Sequence, residues 1–257
     1  VHGLRRDVSR VPEGVVGVAG DLFNKDCPAT WPVGAVDYVV YCAAATDHDE
    51  AGYRAAYVQG LQHVLEWLDD YGQVPNRLLF VSSSSVYGQQ QGEWIDETSP
   101  AVAASYSGRV MLEAEQIALN SGIPASIVRL TGIYGPGREW LLTQVRRGYR
   151  VAIDPPLYAN RIHADDAAGL MACLLEADRR GVALDDVYIG VDDEPAALAD
   201  VVGWLREYMG VTEWAEDATV RRTGSKRCSN ARAKALGWTP KYPSFRQGYA
   251  AIIEGRC

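Results

Sequence analysis

A run of hydroxyl side chains is the feature of this sequence that could most directly do chemistry. Ser82–Ser85 follow an apolar stretch, Leu78–Val81, and precede Tyr87 and Gly88. The apolar stretch has the composition of a strand buried on both faces, as in the middle of a parallel sheet. Ligands of open α/β sheets bind beyond the carboxyl ends of the strands, and hydroxyls there can donate and accept hydrogen bonds. We therefore predict a binding site at the serines; the alternative is a serine-rich loop that binds nothing.

Composition bounds the kind of protein that could carry such a site. The 257 residues are 47% hydrophobic and 23% charged, which fits one large α/β domain or one domain with a small lobe. The net charge of −8 argues against binding to nucleic acid or to an anionic membrane surface. No apolar run approaches the ~20 residues that span a bilayer, and no signal peptide is visible. The five cysteines are scattered and never paired as Cys-x-x-Cys, so we predict free thiols and a cytoplasmic protein.

Strands and helices alternate in the first half of the chain. The beginning of the chain, Val15–Val18, Val36–Ala45, Leu78–Val81 and Ala125–Leu130 have the pattern of strands, and Tyr57–Leu68 and Met111–Leu119 that of helices. This alternation is typical of a doubly wound parallel sheet in an α/β protein. Past Gly135 the pattern changes, with a break at Asp154-Pro155-Pro156 and several further helices. We predict one domain over residues 1–135 and a small α/β lobe over 136–257, with segments that return to the sheet.

Several motifs in order resemble the extended short-chain dehydrogenase/reductase family, in its NAD-dependent epimerase/dehydratase branch. The resemblance implies a Rossmann-type fold, an NAD(P) cofactor, reversible hydride transfer and a nucleotide-sugar-like or related polar substrate. It also implies that residues 1–135 are the nucleotide-binding domain and that residues 136–257 are the substrate lobe. Its motifs are Gly20-Asp21-Leu22, Tyr41 to Ala45, Val58-x-Gly60, Ser82 to Gly88, Arg129 with Tyr134 to Arg138, and Ile162-His163-x-Asp165-Asp166.

The cofactor contacts follow partly from the residues and partly from this resemblance. The first strand ends in Arg5 and Arg6, and arginines at this point of the fold accommodate the 2′-phosphate of NADP. We therefore favour NADP over NAD, with surface arginines as the alternative. The resemblance adds as cofactor-binding residues Asp21, Leu22, Ala43, Ala44, Ala45, Ser82 and Leu130.

The resemblance also implies the substrate contacts. The serine that contacts substrate in the family lies five residues before the glycine, which is Ser83 here. Ser84 stands where dehydratases carry an acid, which weakens a dehydratase interpretation. Further candidates for substrate binding are Ser84, Gly132, Arg138 and Asn160, and Arg138 could equally be a solvated surface arginine. We interpret His163 as structural, and Asp165 and Asp166 as N-cap and first-turn acids of the next helix.

Two departures from the family pattern are visible. The glycine-rich phosphate loop is not found, and we expect roughly 25 to 30 residues, one strand and one helix, before Val1. The Tyr-x-x-x-Lys pair is also not found. Counting from Tyr106 reaches Val110, and a second alignment puts Ser107 and Met111 at the two positions.

Loss of this lysine leaves several interpretations open. Lysine lowers the pKa of the tyrosine, and a phenol with the ordinary pKa near 10 is a poor base. We take Ser83 and Tyr106 as catalytic candidates, with Arg109 a partial substitute for lysine. The alternatives are an ordinary aromatic at Tyr106, a different base such as Tyr134, and a non-catalytic NAD(P)-binding sensor or scaffold. The resemblance further implies a homodimer through the helices Tyr57–Leu68 and Met111–Leu119. From the scattered cysteines we predict no metal site.

Overall fold

The computed structural model describes residues 1–215 and 224–257. In chain order its strands and helices are β1 His2–Arg5, β2 Val16–Ala19, β3 Tyr38–Tyr41, α1 Glu50–Tyr53, α2 Gly60–Asp70, β4 Arg77–Ser83, β5 Glu93–Ile95, α3 Tyr106–Leu119, β6 Ala125–Leu130, β7 Gly132–Tyr134, α4 Trp140–Arg146, β8 Arg161–His163, α5 Ala164–Arg179, β9 Val187–Gly190, α6 Leu198–Met209, β10 Lys226–Cys228, α7 Ala231–Ala235 and α8 Phe245–Ile253. A π-helical segment, Arg54–Gln59, joins α1 to α2, and 3₁₀ turns cover Val8–Arg10 and Ser84–Val86.

The chain forms two compact units. Unit 1 contains Val1–Val86 and Ala103–Ile127, and unit 2 contains Tyr87–Val102 and Val128–Cys257. The division falls inside β6, so this strand contributes its first half to unit 1 and its second half to unit 2. Residues 128–135, which the sequence analysis assigned to the nucleotide-binding domain, fall in unit 2 when the chain is divided into compact units. The two-domain division at residue 135 itself stays a prediction.

Parallel strands organise unit 1. β1 pairs in parallel with β2, from His2 opposite Val16 to Arg5 opposite Ala19. β3 pairs in parallel with β4, which lies between β3 and β6. Leu78, Leu79 and Phe80 of β4 are 0% exposed, as expected for a strand covered on both faces.

The helices of unit 1 extend beyond the ranges that the sequence predicted. The helix predicted at Tyr57–Leu68 begins at Glu50, where the Asp49 carboxylate caps it by accepting a hydrogen bond from Gly52 N at 2.7 Å. The helix predicted to begin at Met111 begins at Tyr106. Its cap is Ser105, whose hydroxyl oxygen accepts from Gly108 N at 3.2 Å. The sequence prediction was wrong about these starts because it followed apolar spacing, whereas the caps are polar.

Unit 2 is built around helices and short strands. Within it β9 lies beside β6, β7 pairs in parallel with β8, and β5 pairs in parallel with β10. Its apolar core gathers side chains of α4, α6 and α8, among them Leu142, Val145, Val201, Leu205 and Phe245, each 0% exposed. α6 ends at Met209, where the following Gly210 takes the left-handed conformation, with φ +66°.

The start of α5 corrects one sequence prediction. The N-cap is His163, whose Nδ1 accepts a hydrogen bond from Asp165 N at 3.2 Å, and neither aspartate caps the helix. Asp165 and Asp166 are first-turn acids, as predicted. Asp166 is buried because its carboxylate accepts hydrogen bonds from the backbone N–H groups of Lys241 and Tyr242.

Candidate functional site

The serine segment is half strand and half turn. β4 continues through Ser82 and Ser83, and the 3₁₀ turn Ser84–Val86 follows directly. The sequence prediction that the strand ends at Val81 was therefore wrong. Ser82 remains in the strand because its hydroxyl has a partner inside the protein: it donates to Glu115 Oε1 of α3 at 2.5 Å, and both residues are buried.

Ser83 lies outside the core, unlike Ser82, and a backbone N–H group orients its hydroxyl. Its Oγ accepts a hydrogen bond from Ser85 N at 3.2 Å, and the residue is half-buried. A serine oxygen has two lone pairs and one O–H, so this bond leaves the O–H of Ser83 able to donate. Ser84, the next residue, is also half-buried. The two serines predicted to contact substrate therefore lie at the carboxyl end of the buried strand.

The first turn of α3 lies directly against the serine turn. A Cβ placed on Gly108 would lie 2.6 Å from Ser85 O and 2.7 Å from the Ala103 side chain. Only glycine allows the helix to approach the turn this closely, because a real Cβ cannot stand under 3.0 Å from a backbone oxygen. Gly108 was not singled out by the sequence analysis. Its signal was present in the Ser-x-x-Gly spacing from the cap residue Ser105.

Tyr106, the first residue of α3, makes its described contacts with α1 and the segment before it. Its phenol donates a hydrogen bond to the backbone carbonyl of His48, and its ring meets Tyr53 of α1 edge-on at 5.7 Å between centroids. The first turn of α3 thus carries both Tyr106, which makes these contacts, and Gly108, which lies against the serine turn. The predicted catalytic role of Tyr106 stays a prediction.

The two positions that align with the lysine of Tyr-x-x-x-Lys carry buried apolar side chains. Val110 is 2% exposed and Met111 is 3% exposed. Arg109, the suggested substitute, is exposed. An electrostatic device that stabilises a phenolate needs a cation beside the hydroxyl, and the side chains of Val110 and Met111 supply none.

The residues predicted to contact the cofactor gather at the carboxyl ends of β1, β2 and β3. Arg5 ends β1, and its carbonyl accepts from Gly20 N beyond β2 at 3.2 Å. The Arg6 guanidinium donates to Thr46 Oγ1 beyond β3 at 3.2 Å. Ala43, Ala44 and Ala45 lie between β3 and Thr46, and both arginines are exposed. This edge of unit 1 therefore combines two guanidinium groups with a loop of small side chains.

Asp21 and Leu22 lie at the same edge but use their polar atoms locally. The Asp21 carboxylate accepts from Phe23 N at 3.1 Å and shapes a turn. The Leu22 carbonyl lies 2.7 Å from Nδ1 of His63 on α2. These bonds fix the path of the chain beyond β2, and contact with a cofactor stays a prediction for both residues.

The candidate residues of unit 2 are placed differently from one another. Leu130 is buried at the end of β6, where its side chain packs on Gly190 of β9. Gly132 and Arg138 are exposed, and Arg138 closes the tight turn that begins at Gly135. Asn160 is 8% exposed, and its amide donates to Lys226 O at 2.9 Å and accepts from Cys228 N at 2.8 Å. Asn160 thus holds β10 by its backbone, a structural contact that the sequence did not predict.

Tyr134, the alternative base, is unsuited to that role. Its ring is 3% exposed and stacks on Tyr249 at 4.4 Å between centroids. Burial raises the pKa of the Tyr134 phenol, so the phenolate is disfavoured. Burial also lowers the pKa of His163, which is 0% exposed. Both side chains are part of the interior of unit 2, which agrees with the structural role predicted for His163.

Two buried acids were missed by the sequence analysis. Glu97, in the loop after β5, accepts from Ile189 N of β9 at 2.9 Å, and burial raises its pKa. Asp192, just after β9, is 3% exposed, and burial raises its pKa to about 8. The signal for Asp192 was an acidic run directly after the apolar residues of β9, the same kind of signal that drew attention to the serines.

Within residues 1–215 and 224–257, no group of three or more His, Cys, Asp or Glu side chains is arranged to hold a metal ion. Over the same residues, no helix combines the length and apolar character that crossing a membrane requires. All five cysteines are free thiols.

Comparisons with known proteins point to one family. Residues 1–190 match the profile of the NAD dependent epimerase/dehydratase family. Protein YeeZ of Escherichia coli K12 is 35% identical over 126 residues, which is 49% of this chain and 44% of YeeZ. The chain therefore matches less than half the length of that curated relative. A 3-diazoavenalumate denitrifying reductase from a Streptomyces species is 25% identical over 96% of this chain and 90% of its own length.

Solved structures agree on the fold. A protein described as an NAD-dependent epimerase/dehydratase from Methylobacillus flagellatus has a TM-score of 0.79 and 33% identity, covering 99% of this chain and 89% of its own. UDP-glucose 4-epimerase of Thermus thermophilus, solved with NAD, has a TM-score of 0.77 and 20% identity, covering 98% and 89%. The predicted α/β class with parallel sheets of the Rossmann type is confirmed. By the profile match and by these folds, the chain belongs to the NAD-dependent epimerase/dehydratase family.

Proposed function

We propose that this protein is an NAD(P)-dependent oxidoreductase that transfers hydride to or from a polar, nucleotide-sugar-like small molecule. The orientation of Ser83 carries the proposal. Ser83 ends a buried strand, its oxygen is held by Ser85 N–H, and its O–H is able to donate to a substrate oxygen. Family membership supports the cofactor class, and structures of relatives were solved with NAD, or with UDP-glucose and NAD.

The residues of unit 1 fit a dinucleotide cofactor. Arg5 and Arg6 present guanidinium groups at an exposed strand end, where planar N–H donors suit a phosphate. Ala43–Ala45 allow a flat ligand to approach the backbone. When bound, the nicotinamide ring would supply or accept the hydride. We propose NADP as the preferred form because two consecutive arginines stand at the end of β1.

Ser83 and Tyr106 take different roles in this proposal. Ser83 donates a hydrogen bond to the substrate oxygen and so fixes the carbon that exchanges hydride. Tyr106 has an O–H that already donates to a backbone carbonyl. We assign Tyr106 to proton donation during reduction: its O–H protonates the substrate oxygen as hydride reaches the carbon, and the phenolate left behind regains a proton from solvent. The printed name of the Streptomyces relative, a reductase, supports this direction.

We also propose that the protein is a cytoplasmic homodimer whose interface is formed by α2 and α3. Both predicted segments are helices, and they pack together within unit 1. Light scattering coupled to gel filtration measures the mass directly, and a mass of one chain at micromolar concentration contradicts the dimer.

Turnover by a serine variant tests the proposed function. The purified protein is first titrated with NADPH and NADH by cofactor fluorescence, and nicotinamide absorbance is then followed with a panel of sugar nucleotides and polar carbonyl compounds. We expect Ser83→Ala to lower kcat/KM by about 10²-fold, the usual effect of removing one oriented donor, with the cofactor Kd unchanged. Ser85→Ala, a change in the same turn, is the matched control and should retain activity. Equal losses in the two variants would contradict the role of Ser83.

A second candidate function is a non-catalytic NAD(P)-binding sensor or scaffold. The buried Val110 and Met111 at the two aligned lysine positions favour it. Cofactor binding without turnover on any compound of the panel, and unchanged by Ser83→Ala and Tyr106→Phe, would support this candidate over the enzyme.

Arginine variants test the cofactor preference separately. Arg5→Ala with Arg6→Ala should raise the Kd of NADP much more than that of NAD, because only NADP carries the 2′-phosphate. Arg10→Ala, a nearby exposed arginine, is the control. Equal increases for the two cofactors would contradict the preference for NADP.

A further inference from the structure

Ser82 and Ser83 are consecutive residues at the end of β4, yet their side chains lie in different surroundings. Ser82 is 4% exposed, whereas Ser83 is half-buried. Side chains of successive residues in a strand point to opposite faces of the sheet. The direction of the Ser83 hydroxyl is therefore linked to that of Ser82, and a contact that fixes one side chain also fixes the other.

Ser82 is fixed by a buried acid of α3. Its hydroxyl donates to Glu115 Oε1 at 2.5 Å, and Glu115 is 1% exposed. A carboxyl group this deeply buried is removed from water, which is unfavourable unless hydrogen bonds within the protein compensate. The helix that carries Glu115 is itself held in the core by the buried side chains Met111, Ala114 and Ala118. The acceptor for Ser82 therefore stands on a well-packed element.

The serine segment has a second attachment to the same face of α3. Gly108 precedes Glu115 by seven residues, about two helical turns, so both residues lie on one side of the helix. The helix backbone at Gly108 approaches Ser85 O closely, two residues after Ser83, whereas Glu115 binds Ser82, one residue before it. Ser83 thus lies between two points at which the chain is attached to α3.

The hydroxyl of Ser83 depends on this backbone for its direction. Its oxygen accepts from Ser85 N at 3.2 Å, which is the upper end of the usual range for N–H···O hydrogen bonds. A bond of this length leaves the position of Ser83 largely to the chain on either side. A donor that is misplaced by about 1 Å can cost a large part of the rate of a reaction.

We propose that Glu115 is a positioning residue of the site: by accepting a hydrogen bond from Ser82, it sets the direction in which Ser83 presents its O–H group to the substrate oxygen. The inference rests on the proposed function, because it concerns the same serine. It adds to that function a buried side chain that acts through Ser82.

Turnover by variants of the two hydrogen-bonded residues tests the proposal. Glu115→Met removes the acceptor while keeping a side chain of similar size, and Ser82→Ala removes the donor. We expect each change to lower kcat about tenfold, because a misdirected donor stabilises the transition state less, and to leave the cofactor Kd unchanged. Glu115→Gln keeps an acceptor oxygen and should retain most of the activity.

The double variant shows whether the two residues act together. If Glu115 acts through Ser82, Ser82→Ala combined with Glu115→Met should lower kcat about tenfold, as each single change does, and not about a hundredfold. Glu113→Met is the matched control. It makes the same change on α3 at an exposed glutamate that pairs with Arg54, and it should retain kcat. Losses that multiply in the double variant would contradict the proposal.

Hydrogen exchange of the Ser85 N–H group, followed by NMR, gives a readout that needs no substrate. This amide donates to Ser83 Oγ, so it should exchange at least about fivefold faster in Ser82→Ala and in Glu115→Met. Leu79 lies in the buried part of β4, and the exchange of its amide should change much less. A contribution of Glu115 to overall stability alone would speed exchange at both amides alike.

The two readouts separate failure of this inference from failure of the proposed function. Turnover of no compound in the panel would contradict the proposed function, and Ser85 exchange would still test the positioning role. Unchanged exchange at Ser85 in Ser82→Ala, or equal acceleration at Ser85 and Leu79, would overturn that role. Should Glu115→Met fail to fold, Ser82→Ala decides the question alone, because it removes only the hydroxyl oxygen.

Discussion

Gly108 is the residue on which the shape of the candidate site depends most. The position that a Cβ would take there lies 2.6 Å from the carbonyl of Ser85, inside the serine turn. The helix therefore supports the turn through backbone rather than through side chains. This contact and the hydrogen bond from Ser82 to Glu115 both attach the segment that ends in Ser83 and Ser84 to α3.

Gly108→Ala should therefore cost stability and disturb the site together. The added methyl group meets backbone on one side and Ala103 on the other, and overpacking of this kind costs about 1–3 kcal/mol. Urea unfolding followed by circular dichroism measures the loss. Gly203→Ala in α6 is the control, because nothing described lies within 4 Å of a Cβ there, and alanine should stabilise that helix by up to about 1 kcal/mol. Equal effects of the two changes would contradict the close approach at Gly108.

At this scale the sequence predicted the buried strand better than the contacts of the serines. A wholly apolar run is a local pattern, and Leu78, Leu79 and Phe80 are 0% exposed in β4, but the strand continues to Ser83, beyond the predicted end at Val81. Ser82 was assigned to the cofactor, yet its hydroxyl donates to Glu115, which is 33 residues away in the chain. Such a partner depends on how α3 packs, and no local pattern contains that information.

Among the elements, the helix that follows β3 shows how one side chain changes local geometry. The π-helical segment Arg54–Gln59 lies between α1 and α2, and the Tyr41 hydroxyl donates to Ala56 O within it at 2.5 Å. The same hydroxyl lies 2.6 Å from where a Cβ of Gly60 would be. The π-helical segment thus coincides with a point where a side chain from outside the helix, a buried phenol, hydrogen-bonds to a helical carbonyl.

Tyr41→Phe should destabilise the protein by about 1–2 kcal/mol. The change removes the phenol oxygen that donates from β3 into the π segment, and a buried carbonyl that loses a partner costs about that much. Thermal or urea unfolding measures it. Tyr71→Phe is the control, since Tyr71 is 44% exposed at the end of α2 and should change stability by less than about 0.5 kcal/mol. If Tyr41→Phe lowered the free energy of unfolding no more than Tyr71→Phe does, the hydrogen bond from Tyr41 to Ala56 O would not stabilise the protein.

Long elements could be predicted from the sequence and short ones could not. The predicted strand Ala125–Leu130 is confirmed as β6, with all six residues buried. The strands β5, β7, β8 and β10 were missed, and each has three residues. Each pairs in parallel with a partner distant in sequence, such as β5 with β10, where Glu93 lies opposite Lys226. Three residues hold too little periodicity to show a strand, so only the tertiary structure defines them.

For the molecule as a whole, carboxyl groups whose pKa is raised by burial contribute to the pH dependence of the free energy of unfolding. Burial raises the pKa of Glu97 and Asp166, and it raises that of Asp192 from 3.8 to about 8. A carboxyl group whose pKa is raised by folding binds its proton more tightly in the folded state. Its contribution to stability is therefore complete below pH 3.8 and is lost as the pH rises to about 8.

We therefore expect Asp192→Asn to become more stable relative to the natural protein as the pH rises from about 5 to about 8. Asparagine cannot ionise, so the variant escapes the cost of an uncompensated buried carboxylate. The difference in free energy of unfolding should grow by up to about 1.4 kcal/mol per pH unit and should level off above about pH 8. Urea unfolding at a series of pH values measures it.

Asp186→Asn provides the baseline for this comparison, because Asp186 is exposed and its replacement should leave the pH dependence unchanged. Subtracting the free energies of unfolding of the two variants removes the contribution of the other ionisable groups. Among these are Asp165 and Asp96, whose pKa values are lowered by hydrogen bonds, so that their contribution to stability increases as the pH rises. A difference that stays constant over the whole pH series would show that Asp192 is ionised in the folded protein throughout, held by Arg161.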